Sequence, residues 1–293
     1  MIKKGLSRLA FLFLYLLSLL PFWFLYLIAD FLYLIIYHIT GYRKAVVREN
    51  LSNSFPEKSA AQRIKIEKQY FHYLADLIVE GVKLITISQQ QVQRRMHLVN
   101  PELIEQYFAD GKSIVGAVGH YGNWELGALS LSLLTSNRRI IIYKPLSNPE
   151  AEVFFKKIRG RFGSTLVPMK STLRKMVEYK NELSFSVFVS DQTPVREEAH
   201  YFTQFLNQPT AVFLGIEKIA KLTGSVVIFC DIRRVKRGYY QCTFVPLINE
   251  PKQAEGHTIT EAHVKYLEHV IKAEPPYWLW SHRRWKFKPE GNI

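Results

Sequence analysis

The chain has 293 residues, 48% hydrophobic and 22% charged, with 39 Lys and Arg against 25 Asp and Glu and a formal net charge of +14. That length buries a sizeable core, and once an N-terminal hydrophobic segment is set aside one domain is the simplest count. The two cysteines, Cys230 and Cys242, exclude a disulfide framework and a cysteine zinc site, while the charge implies an anionic partner without distinguishing lipid, nucleic acid or acidic protein.

Leu9 to Ala29 is an uncharged run rich in Leu, Phe and Tyr. As a helix it measures ~31 Å against a hydrocarbon thickness of ~30 Å, so it can span a bilayer. Asp30 interrupts it, and Phe31 to Tyr37 resumes the apolar pattern as far as Arg43, Lys44 and Arg48. Pro21 kinks any helix here. Lys3, Lys4 and Arg8 precede the run, so cations on both sides give no orientation. One kinked span and a helical hairpin dipping into a single leaflet both fit. The run exceeds the ~7–15-residue core of a secretory signal and lacks a small-residue cleavage site. A retained anchor, residues 1–40, ahead of a second domain, residues 41–293, is the expected organisation.

Arg48 to Pro56 reads as a turn before a helix, Ala60 to Leu84, whose Ile64, Ile66, Tyr70, Leu74, Leu77 and Ile78 recur at helical spacing as a core-facing stripe. From Lys112 onward apolar runs alternate with amphipathic ones: strand Ser113–Val118, helix Asn123–Leu134, strand Ile140–Tyr143, helix Asn148–Arg159, strand Phe185–Val189, helix Val212–Leu222. This predicts an α/β layer, a sheet flanked by helices. Ser225–Ile232 and Tyr239–Val245, joined by the basic turn Arg233 to Gly238, read as a β-hairpin near its edge that brings packed cysteine thiols close together. Helix Thr260–Ala273 ends at Glu274-Pro275-Pro276. Beyond it, Tyr277 to Lys286 combines aromatic bulk with cations.

The segment best suited to chemistry is His120-Tyr121-Gly122-Asn123-Trp124-Glu125, at the junction of strand and helix. On one continuous helix five steps rotate Glu125 roughly 140° from His120. The two meet only if His120 lies in the preceding loop and Glu125 in the first helical turn, a break that Gly119 and Gly122 favour. The carboxylate then holds one imidazole nitrogen and leaves the other as a general base. The competing reading is a loop histidine near a glutamate that merely favours the helix dipole.

Taken together these features resemble the late acyltransferases of lipid A assembly, within the lysophospholipid acyltransferase superfamily and its His-x4-Asp/Glu signature. The resemblance runs through most of the chain in order. It includes the hydrophobic anchor, Arg48-Glu49-Asn50-Leu51 to Phe55-Pro56-Glu57, the His120 to Glu125 signature, Tyr143-Lys144-Pro145 with Asn148-Pro149, Arg159-Gly160-Arg161, Asp191 after a buried strand, and the Trp280 to Pro289 tail. The chain departs from the family at Ser190-Asp191-Gln192-Thr193-Pro194, which supplies one acid, and in the Tyr-Gly-Asn-Trp segment inside the signature.

The resemblance implies a glycerol-phosphate acyltransferase-like mixed sheet flanked by helices. It also implies transfer of a fatty acyl chain from an acyl carrier protein thioester to a hydroxyl of a lipid A precursor, at the cytoplasmic face of the bacterial inner membrane. His120 is then the base and Glu125 its orienting partner. Gly122 and Asn123 supply candidate oxyanion donors, and Tyr143, Lys144, Asn148, Asp191 and Gln192 are candidate substrate contacts. Direct transfer requires no cofactor, no metal and no nucleophilic serine, and no Gly-x-Ser-x-Gly elbow is present.

Arg159 and Arg161 suit bidentate contact with the phosphates of an anionic glycolipid acceptor. Lys156 and Lys157 fit an ordinary solvated face. Arg233, Arg234, Lys236 and Arg237 read equally as surface cations and as contacts for headgroups or the acidic carrier. Asp191 follows an apolar strand, where it reads either as one half of a structural salt bridge that orients a basic partner or as a direct substrate contact. Trp278, Trp280 and Trp285 fit the bilayer interface or a packed closing segment. A lysophospholipid, aminolipid or phosphatidylinositol mannoside is the alternative acceptor. A nucleic-acid-binding module leaves the His120 to Glu125 pattern unexplained and is set aside.

Overall fold

The computed structural model describes residues 2–289, and the side chains of residues 2–8 lie outside that description. The side chains of Lys3, Lys4 and Arg8, the cations expected ahead of the anchor, therefore fall outside the description.

A seven-stranded mixed sheet organises the chain. Its strands are β1 (Met96–Leu98), β2 (Ile114–Val118), β3 (Arg138–Tyr143), β4 (Thr165–Pro168), β5 (Ser184–Val189), β8 (Val226–Lys236) and β9 (Tyr239–Ile248). β6 (Phe202–Phe205) and β7 (Gln208–Ala211) form a separate antiparallel ribbon. The order across the main sheet is β1-β9-β8-β2-β5-β3-β4. Every pairing is parallel except the β8–β9 hairpin. The predicted hairpin thus lies near the edge, with β1 added outside it.

Neighbouring positions along β2 face opposite cores: Val115 and Ala117 join one buried cluster, Ile114 and Val118 the other. A strand covered on both faces reads as a continuous apolar run. Helix Thr258–Ala273 contributes Ile259, Val264 and Leu267 to the first core, and helix Trp124–Leu131 contributes Leu126 and Leu129 to the second. The thiols of Cys230 and Cys242 are free and buried as expected, and the contact between them together with burial pushes the Cys242 thiol upward.

Three expectations change. Arg48 to Pro56 is not a turn: Lys44–Ser54 is helical and packs Val47 and Leu51 into the core. In the stripe of helix Ala60–Lys83, Ile66 and Tyr70 are buried, but Ile64 and Ile78 are exposed, because the packed face is shifted around the helix. In the N-terminal apolar run the break falls at Pro21, as its kink predicts, but Asp30 does not interrupt the helix that follows. Helix Phe22–Tyr33 continues through Asp30 into a wider turn, Leu34–Ile39. Phe22–Ile39 is the stretch long and apolar enough to cross a membrane.

Asp30 is accommodated within that stretch because Arg237 reaches it, at 2.6 Å. One stripe of the stretch, Leu25, Ala29, Tyr33 and Tyr37, is buried at the four-residue spacing of a single helix face. The opposite face leaves Trp23 66% and Phe31 63% exposed.

Candidate active site

β2 and β5 run side by side with Val118 opposite Val189. His120 and Asp191 each lie two residues beyond that pair, so both chains leave the sheet at its carboxyl edge and meet there. This edge is where open α/β sheets hold ligands. Asp191 Oδ1 lies 2.5 Å from His120 Nδ1. Its Oδ2 accepts the His120 backbone N–H at 2.8 Å and the Trp278 indole N–H at 2.7 Å.

Burial alone raises the Asp191 carboxyl, but the attraction of the His120 ring and these donors outweighs it and holds the group at about 2. A carboxylate facing Nδ1 places the proton of the neutral ring there and leaves a lone pair on Nε2. The side-chain amide of Gln192 donates to that nitrogen at 3.0 Å. The Asp191 carboxylate is 3% exposed against 16% for the His120 side chain, so the carboxylate is sealed and the imidazole keeps some access to solvent.

The loop between β2 and helix Trp124–Leu131 is held from two sides. Gly122 adopts φ +58°, and a Cβ there would lie 2.6 Å from the Ile232 carbonyl, so the turn demands glycine. Its N–H donates to Tyr277 O at 3.0 Å, and its carbonyl accepts the Tyr73 hydroxyl. The C-terminal segment continues alongside: Leu279 N–H donates to His120 O at 3.1 Å, and Tyr121 bridges Trp278. Trp278 and Trp280 are fully buried, as a closing segment and not as interfacial residues.

Asn123 caps the helix, its Oδ1 accepting Leu126 N–H at 2.9 Å. The Gly122 N–H expected at an oxyanion is thus already engaged. The first-turn amides of Trp124 and Glu125 have no acceptor within the helix itself.

Glu125 lies in the first helical turn, as its spacing from a loop histidine requires, but it is not the partner of His120. Its carboxylate receives a bidentate pair from Arg159, Nε at 2.9 Å and Nη2 at 2.5 Å. Asp191 has taken the imidazole, and a guanidinium fork suits the remaining carboxylate better than one ring nitrogen does. Burial lowers the Arg159 guanidinium, and Glu125 reverses that and raises it.

Arg161 does not join Arg159: it turns away and donates to Leu84 O and Ile85 O at 2.8 and 2.9 Å. Tyr143 donates to Glu152 at 2.7 Å, Asn148 caps helix Pro149–Gly160 by accepting from Glu150 and Ala151 N–H, and Lys144 is exposed. Of the hairpin cations, Arg233 pairs with Asp231, Arg234 with Asp76, and Arg237 with both Asp76 and Asp30. Among the described residues no group of three or more His, Cys, Asp and Glu side chains is placed to hold a metal ion.

Three side chains that hold the site carry no sequence signal for doing so: Trp278 reads only as an aromatic, and Tyr73 and Glu80, the latter accepting from Asn123 Nδ2 at 2.6 Å, sit on a helix whose visible pattern is its apolar stripe.

A histidine with a sealed carboxylate on one nitrogen and the Gln192 amide on the other stands at the carboxyl edge of an α/β sheet, where such folds hold their ligands. Residues 1–287 match the family described as bacterial lipid A biosynthesis acyltransferase. The chain belongs to that family, and the protein is an acyltransferase. It is 24% identical over 261 residues to a lipid A biosynthesis acyltransferase of Haemophilus influenzae, covering 87% of this chain and 80% of the relative. It is 23% identical over 250 residues to a lipid A biosynthesis lauroyltransferase of Escherichia coli, covering 85% and 81%. A myristoyltransferase of the same organism is 21% identical over 253 residues, covering 86% and 77%.

Proposed function

We propose that the protein transfers a fatty acyl chain from an acyl carrier protein thioester to a hydroxyl of a lipid A precursor, on the cytoplasmic face of the bacterial inner membrane. The observation that carries this reading is the 2.5 Å contact of His120 Nδ1 with Asp191, which leaves Nε2 as the base. The acceptor hydroxyl displaces the Gln192 amide at Nε2 and gives up its proton there as its oxygen bonds to the thioester carbonyl carbon. The carbon–sulfur bond then breaks, and the sulfur leaves with the proton returned by the imidazolium. Asp191 stabilises that imidazolium. A thiol with a reference pKa of about 8.5 leaves without the assistance an alkoxide requires.

The amides of Asn123, Trp124 and Glu125 at the helix start are the donors assigned to the oxyanion, with Gly122 shaping the turn. Arg159, fixed by Glu125, and Lys144, exposed beyond β3, are assigned to the acceptor phosphates. Tyr143 and Asn148 set the loop between them.

Residues 1–40 are read as anchor and 41–293 as an acyltransferase domain with a glycerol-phosphate acyltransferase-like sheet. The buried stripe Leu25, Ala29, Tyr33 and Tyr37 favours an anchor lying along the domain within one leaflet over a helix crossing alone. Mass spectrometry of lipids from cells with and without the gene tests the reading. Loss of one acyl chain from lipid A is the expected result. Unchanged lipid A with an altered phospholipid or aminolipid would overturn it.

A further inference from the structure

Glu80 is a carboxylate on helix Ala60–Lys83 that the mechanism above does not use, and it is 3% exposed. Three donors from three separate parts of the chain converge on it. Tyr240 of β9 donates at 2.7 Å and Asn123 Nδ2 at 2.6 Å to one oxygen, and Tyr26 of the anchor helix donates at 2.9 Å to the other. Burial pushes the carboxyl upward while these donors oppose it.

Asn123 caps the helix that carries Glu125, three residues after His120. Tyr26 lies in the stretch long and apolar enough to enter a membrane. One carboxylate therefore joins the anchor to the catalytic turn.

The surroundings are built for this contact. Tyr26 reaches Glu80 over Gly238 in the β8–β9 turn, where φ is +73° and a Cβ would fall 1.8 Å from the Tyr26 hydroxyl. Any side chain at that position would displace the tyrosine. Arg95 donates to the Gly238 carbonyl at 2.9 Å and lies over the Phe22 ring, and Lys83 donates to Ser18 O and Leu20 O, both at 2.8 Å. Arg237 bridges Asp30 of the anchor and Asp76, one turn before Glu80. The anchor is thus seated on the domain by directed contacts, and the Glu80 contact is the one that continues into the active-site loop.

We infer that Glu80 is a positioning residue through which the seating of the anchor sets the geometry of Asn123 and the helix start beside His120. The anchor is then a working part of the site as well as an attachment. This inference rests on the acyl-transfer reading for its kinetic arm only.

The test uses the full-length protein in detergent micelles with an acyl carrier protein thioester and a lipid A precursor, comparing wild type, Tyr26→Phe and Glu80→Gln. Tyr26→Phe removes one hydroxyl and keeps the ring. It is expected to lower kcat about 3–10-fold, less than the full loss of one hydrogen bond to a carboxylate because Asn123 and Tyr240 still hold Glu80, with the thermal midpoint lowered by a few degrees and KM for the thioester and membrane fraction near wild type. Glu80→Gln should lie between the two, because its amide oxygen still accepts from Asn123 and Tyr240.

Amide hydrogen exchange is the second measurement and needs no substrate. Residues 122–127 should exchange faster in Tyr26→Phe than in wild type. Wild-type kcat with unchanged exchange in Tyr26→Phe, or activity lost only in step with release from the membrane, would overturn the inference. Faster exchange in Tyr26→Phe, together with a wild-type protein that acylates no lipid A precursor, would retire the substrate assignment and leave the coupling standing.

Discussion

His120 and Asp191 are brought together by strand register: each stands two residues beyond Val118 and Val189, which face each other in adjacent parallel strands. An imidazole and its carboxylate partner more than seventy residues apart are thus placed by a rigid sheet, not by a short motif.

Asp191→Asn should lower kcat by about 10²–10⁴-fold while leaving the fold intact, because an amide in that place no longer fixes the proton on Nδ1. Steady-state kinetics with circular dichroism checks this. An Asp191→Asn enzyme turning over near the wild-type rate would remove Asp191 from the mechanism.

Glu125 and Arg159 form a bidentate pair and should behave as a unit. In a double-mutant cycle Glu125→Gln and Arg159→Ala are expected to be non-additive by about 1–3 kcal/mol. The Arg159→Ala defect should shrink on an acceptor lacking one phosphate, since the lost contact is then absent from both enzymes. Arg161→Ala, whose guanidinium serves the Leu84 and Ile85 carbonyls, should cost the same on both acceptors.

Burial holds the His263 and His282 imidazoles down to about 4. A base whose pKa is depressed by folding takes up its proton first in the unfolded chain. Stability is therefore full above about 6.5 and falls as pH drops toward 4, by ~3 kcal/mol for His263 alone. Asp191 works in a lower window: its carboxyl sits at about 2, so its contribution persists until pH falls below the usual carboxylate range. Urea unfolding between pH 7 and 4 should show the loss, and His263→Phe should flatten it. An equally steep profile in His263→Phe would exclude that histidine as the cause.

Deleting residues 1–39 should release the protein from membranes and also destabilise it, because Leu25, Ala29 and Tyr33 leave the core and Arg237 loses Asp30. High-salt fractionation reads the first effect and a thermal melt the second. A truncated protein that stays on membranes in high salt would locate the membrane contact elsewhere.

The apolar runs make β2, β3, β5 and β8 legible, because strands largely buried on both faces are near-continuous hydrophobic runs, and β9 is legible from its alternation of buried and half-buried positions. Short elements such as β1 and β4 carry too few residues to establish a period. The His120 to Glu125 segment was correctly read as a loop followed by a helix start, and both residues stand where the spacing put them. Proximity in sequence favours Glu125 as the partner of His120, whereas the pairing of β2 with β5 that delivers Asp191 is a long-range fact that no local pattern encodes. Arg159 was recognised as more than a surface cation, but its carboxylate partner came from a different helix. Glu80 escaped notice for the same reason: its three donors come from residues 26, 123 and 240.

The most direct test is single-turnover transfer by purified His120→Ala enzyme, with an acyl carrier protein thioester as donor and a lipid A precursor as acceptor. Loss of the base should slow the chemical step by about 10²–10⁴-fold, with the protein folded and its membrane association unchanged. Transfer by His120→Ala at close to the wild-type rate would contradict the account, since no other group has been assigned to remove the acceptor's proton.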